Sequence, residues 1–136
     1  MVYREAIDHA SRNVGLLACA ISAGIHGALV PEHFAEGMGA GAGFVVATVL
    51  LAASAVAVTL RPAGSLAAAV TATVFAGLLV AYGLATTTGV PVLHPDPEPL
   101  DGLAVATKAI EAAGLLAAFT LILRPLAATV LQPKGT

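Results

Sequence analysis

Long apolar stretches alternate with short polar breaks along this chain, and four of the stretches are long enough to cross a bilayer. A helix needs about 20 mostly apolar residues to span a hydrocarbon core of roughly 30 Å. The first stretch covers about 14–30, with a more polar helical turn or two ahead of it from Ala6. The second, about 40–60, carries no charge and ends at Arg61-Pro62. Proline there lacks the amide hydrogen that continues a helix, and arginine suits the headgroup layer. Gly64-Ser65 makes a tight turn into the third, about 66–85. The fourth, about 103–123, is expected to stop at Arg124-Pro125, with residues 126–131 forming a short apolar tail at the interface. The runs are too long for the strands of a membrane barrel and lack their alternation. The pattern therefore predicts an all-α fold, a four-helix transmembrane bundle, with residues 1–136 as a single transmembrane domain. A shift of 63 residues lays Arg61-Pro62 on Arg124-Pro125 and Pro31 on His94, a faint echo of two helical hairpins repeated in parallel.

Composition agrees with this pattern. Hydrophobic residues make up 58% and charged residues 10%, against roughly 45–50% and about 25% in a soluble domain. Six basic and eight acidic side chains cannot cover the water-facing surface of a soluble protein this small, so the apolar excess faces lipid. Net charge is −2 without a basic cluster, which excludes a nucleic-acid partner. The single cysteine, Cys19, lies in an apolar stretch; it forms no internal disulfide and reads as a small buried hydrophobe. Arg4, Glu5, Asp8 and Arg12 precede the first apolar run, a poor fit to a secretory leader, so this segment is expected to be retained.

Basic residues set the orientation. Arg4 and Arg12 precede the first span, Arg61 separates the second from the third, and Arg124 and Lys134 follow the fourth. The other two loops, about 31–39 and 86–102, hold no Lys or Arg. The positive-inside rule then makes this a multi-pass protein of the cell membrane with both termini cytoplasmic.

The polar residues of the opposite face are where chemistry is concentrated. Its loops hold Glu32, His33, Glu36, His94, Asp96, Glu98 and Asp101, and His26 lies about one turn below the end of the first span. If helix continues through Pro31, His26 and His33 point within about 20° of each other and Glu36 about 60° further round. Imidazole and carboxylate on one face make a half-site for Zn²⁺ or Cu²⁺, and less readily for Fe²⁺. Pro31 alternatively breaks the register and starts a short interfacial helix carrying Glu32, His33 and Glu36. The loop from Gly89 to Gly102 has four prolines. It is either a stiff arm holding His94 or an acid over the bundle, or a rigid cover on the helix ends. Asp101 is placed to cap the fourth span. Within that span Lys108 and Glu111 stand at i,i+3, either a local pair or the base of a polar pocket with Glu111 at its floor and His26 on its wall. Thr86, Thr87, Thr88 and Tyr82 would add hydroxyls to this region, or bond back to helix carbonyls. His9 is isolated and receives no role.

Several chemistries are excluded. There is no Cys-x-x-Cys for thiol redox, no nucleophile elbow, no phosphate-binding glycine loop and no HExxH motif. Haem, which calls for two deep histidines on different helices, is not expected, nor is a nucleotide.

The run Gly24-Ile25-His26 followed by Pro31-Glu32-His33-Phe34-Ala35-Glu36, with Gly89-Val90-Pro91 and Glu111, resembles small four-helix membrane proteins of actinobacterial type. The resemblance implies the same architecture and groups His26, Glu32, His33, Glu36 and Glu111 as a set. The chain is also similar in size to four-helix DoxX-like proteins, without a shared motif. The leading expectation is a transition-metal site, with His26, His33 and His94 as ligands and Glu32, Glu36 and Glu111 as ligands or proton-handling carboxylates. Metal handling is favoured over catalysis. The alternatives are an accessory subunit packed in a larger membrane complex and a small homo-oligomeric transporter.

Overall fold

The structure is a computed structural model that describes residues 2–61, 64–91 and 96–130, with side chains described as far as Leu123 apart from Val2 and Arg4. Four helices account for nearly all of it: α1 (Val2–Glu36), α2 (Met38–Leu60), α3 (Ser65–Thr87) and α4 (Gly102–Val130). Each contains a segment long and apolar enough to cross a membrane. The chain is thus an all-α, multi-pass membrane protein.

The core segments match the expected spans, but two helix ends do not. α1 runs unbroken through Pro31 to Glu36, so the nine-residue loop expected after it shrinks to Gly37 alone. The reading of Pro31 as the start of a separate helix is thereby overturned. A proline inside a helix removes one hydrogen bond and can bend the axis, yet the turns on either side can hold the register. Gly37, in extended backbone, ends one helix and starts the next: its N–H donates to His33 O at 3.0 Å and its carbonyl accepts from Gly41 N–H at 3.1 Å. α4 likewise continues past Arg124-Pro125 to Val130, so the stop expected at Leu123 is also corrected. Apolar sequence favours helix because backbone groups in lipid must be satisfied internally, and one proline does not outweigh that.

The helices form a square. α1 packs on α2 and α4, α3 packs on α4, and the α2–α3 seam is the lightest of the four. Neighbours are antiparallel: Gly27 faces Thr48 across α1–α2, Ser22 meets Glu111 across α1–α4, and Lys108 lies over Tyr82 across α3–α4. Ala18 and Cys19 of α1, Leu51 of α2 and Phe75 of α3 close the centre. Cys19 is fully buried there, as its apolar setting implies. The buried residues of α3, from Ala67 to Phe75, all lie in its first half. Its second half lines a cleft.

Asp101 caps α4, its Oδ1 accepting the Ala104 amide at 2.9 Å. Asp101→Ala should lower stability by about 0.5–2 kcal/mol, measurable by denaturant titration of the detergent-solubilised protein, whereas Asp101→Asn should stay close to wild type.

Candidate functional site

Three helices converge their polar residues at one end of the bundle. Helical spacing on α1 puts Gly15, Ala18, Cys19, Ser22 and His26 on its buried face, so the small residues that pack the centre continue upward into Ser22 and His26. On α4 the matching face runs Thr107, Glu111, Gly114, Ala117 and Ala118. The two faces meet in a hydrogen-bonded network around Glu111, which is 0% exposed.

Both carboxylate oxygens of Glu111 are engaged. Ser22 Oγ donates to Oε1 at 2.7 Å, and Lys108 Nζ donates to Oε2 at 2.7 Å. His26 Nε2 stands 3.8 Å from Oε1. A carboxylate taken out of water is tolerable only when its lone pairs are met this completely. The lysine is also held over the Tyr82 ring, 5.3 Å from its centroid.

The two histidines of α1 are set in the same way. His26 Nδ1–H donates to Ser22 O at 2.9 Å, and His33 Nδ1–H donates to Leu29 O at 2.9 Å. A carbonyl only accepts, so in each ring Nδ1 holds the proton and Nε2 keeps a lone pair to offer. His33 Nε2 lies 4.0 Å from Glu36 Oε2. Phe44 of α2 stacks on His33 with ring centroids 3.5 Å apart and meets His26 at 5.2 Å.

Above the network the helix ends splay into a cleft with two compartments. The larger, about 470 Å³, opens between α1 and α4 and is lined by Glu32, His33, Glu36, Glu98, Asp101 and Thr107 among others. The smaller, about 200 Å³, lies between α2 and α3 against Ala40, Phe44, Ala47, Leu78, Ala81 and Ala85. His26, His33, Phe44, Tyr82, Glu98 and Lys108 line both.

The expected residues thus divide. Helix continuity brings His26, Glu32, His33 and Glu36 onto one cleft wall. Glu111 is not the floor of the cleft; Lys108 and His26 line it, with Glu111 sealed behind them. The i,i+3 pair with Lys108 and the polar pocket, posed as alternatives, coexist. His94 lies outside the described residues, although Val90 and Glu98, on either side of it, line the smaller compartment. The described part of the loop after His94 is tied to the end of α3, Glu98 N–H donating to Ala85 O at 2.9 Å. Thr86 and Thr87 bond back to Tyr82 O and Gly83 O. His9 is exposed.

Two site residues escaped sequence reading. Ser22 carried a usable signal, standing one turn before His26 on the same face. Phe44 carried none, because an aromatic in an apolar span reads as lipid-facing or core.

Among the described residues no three of His, Cys, Asp or Glu stand close enough together to hold one metal ion. Compared with known proteins, the chain matches no family model, no curated protein and no solved structure.

Proposed function

We propose that this chain is an integral membrane protein whose cleft faces the outside of the cell and captures a divalent transition-metal ion. The observation that carries the reading is the shared setting of His26 and His33. Each donates Nδ1–H to a backbone carbonyl and offers Nε2 within 3.8–4.0 Å of a carboxylate oxygen. Metal-ligating histidines are oriented by this kind of hydrogen bond from the second ring nitrogen. A zinc ion bound about 2.0–2.2 Å from each donor fits a gap of that width with little adjustment.

The cleft mouth supplies the attraction. Glu32, Glu36, Glu98 and Asp101 line it, and carboxylates gathered at a low-dielectric opening concentrate cations there. Among the described residues no Cys or Met lines either compartment, so the donors are nitrogen and oxygen, which suits Zn²⁺ or Cu²⁺ over Cu⁺.

The geometry favours two stations over one joint centre. Seven residues of helix separate His26 from His33 by about 10 Å along the axis, and Phe44 contacts both rings. His33 with Glu36, beside Glu32, forms the station at the mouth. His26 with Glu111 forms the deeper one, where Ser22 and Lys108 already occupy the carboxylate. Two protein donors leave coordination positions open, which accords with transient handling, since structural sites are closed by four ligands. His94 remains the candidate further donor on sequence grounds.

Isothermal titration of the purified protein in detergent with Zn²⁺ and Cu²⁺, backed by metal analysis of the protein as isolated, tests this. His33→Ala should weaken binding at least tenfold, since even an orienting partner of a ligand is worth about 10–100-fold. His26→Ala should leave the first binding event in place and remove the second. Protein that takes up neither ion overturns the reading, as does binding indifferent to both substitutions.

A further inference from the structure

The smaller compartment is a different kind of space from the acidic mouth. Its walls are the second half of α3 and the first half of α2, both parts of membrane-crossing helices, and small or apolar side chains form most of it. It occupies the lightest seam of the bundle, between two helices that are each long and apolar enough to cross a membrane. A helix is about 10–12 Å across with its side chains, so the slot cannot seat a partner helix. An apolar cavity of about 150 Å³ holds a benzene-sized molecule, and about 200 Å³ suits a ring or a short length of chain.

The slot also has polar groups in its lining. Tyr82 forms part of the wall, and its buried hydroxyl has no hydrogen-bond partner among the described residues. His26 contributes Nε2 as an acceptor, its Nδ1–H being given to Ser22 O. The ammonium of Lys108 is already neutralised by Glu111. A tyrosine hydroxyl can donate and an imidazole nitrogen can accept, the complement of a ligand hydroxyl, which does both. The acids of the adjoining mouth disfavour an anionic head.

We infer that the α2–α3 slot binds a neutral membrane-dissolved amphiphile, its apolar part between Ala47 and Ala81 and its hydroxyl directed at Tyr82 and His26. The ligand enters sideways from the bilayer, without passing the acidic mouth. The slot shares His26 with the deeper metal station proposed above, but filling it does not require a metal.

A hexadecanol analogue carrying a diazirine near the hydroxyl and a terminal alkyne provides the probe. The full chain, in nanodiscs of neutral phospholipid with a chelator present, is irradiated and its labelled peptides are mapped. Labelling should saturate, fall on residues 40–47 and 78–85, and be displaced by hexadecanol but not by hexadecane or palmitate. Ala81→Phe, which fills the slot, should reduce labelling at least tenfold without lowering the thermal midpoint; Ala85→Phe reads the same wall if the first variant is unstable. Tyr82→Phe should weaken displacement by about 5–10-fold, the value of one hydrogen bond. Equal displacement by hexadecane or by palmitate overturns the inference, as does labelling unaffected by both phenylalanine variants.

Discussion

Glu111→Leu is expected to lower the stability of the bundle by about 3–5 kcal/mol, because it leaves Lys108 charged, largely buried and unpaired. The lysine side chain is 16% exposed and has only a short reach to water. The same change strips Ser22 of its acceptor and so removes a buried side-chain hydrogen bond that ties α1 to α4. Lys108→Met should be costly too, since it strands the carboxylate. The double variant Lys108→Met/Glu111→Leu should recover most of the loss, since an apolar pair of similar volume often replaces a buried ion pair at little cost. A double-mutant cycle, read by reversible unfolding in mixed micelles, checks this, and additive single effects would remove the ion pair from the stability argument.

Gly114→Leu should be the most disruptive substitution in the apolar core. A Cβ at position 114 would sit 2.5 Å from ring carbons of Phe75 and 2.8 Å from Ala18 Cβ. Phe75 is fully buried against Ala18, Cys19 and Leu51 and has nowhere to retreat. The clash of Gly114→Ala costs about 1–3 kcal/mol, offset in part by about 1 kcal/mol from better helix propensity. Leucine adds three more carbons to the same wedge and should prevent the four helices from assembling. Gly77→Ala is the control: nothing lies within 4 Å of its Cβ position, so it should be neutral or slightly stabilising. Yield of monodisperse protein on gel filtration separates the three variants.

Architecture was the most legible property of the sequence, because span length and hydropathy answer to one quantity, the thickness of the bilayer core. Helix ends were less legible. Pro31 and Pro125 both argued for termination through local sterics, yet α1 and α4 continue past them. The i,i+3 pairing of Lys108 with Glu111 was readable because it depends on one helix alone. The Ser22–Glu111 bond joins residues 89 apart in the chain, and only the rotation of two packed helices decides it. Phe44 and the α2–α3 slot were illegible for the same reason: small residues in apolar spans signal close packing, whereas here several of them border a space.

Gly37, the sole residue between α1 and α2, has a mechanical consequence. The single-residue link folds α2 straight back along α1, and the two pack together more extensively than any other pair of helices, which sets Phe44 of α2 against His26 and His33 of α1. So short a link leaves little slack, and the facing of both imidazoles by Phe44 is therefore set by chain connectivity as well as by packing.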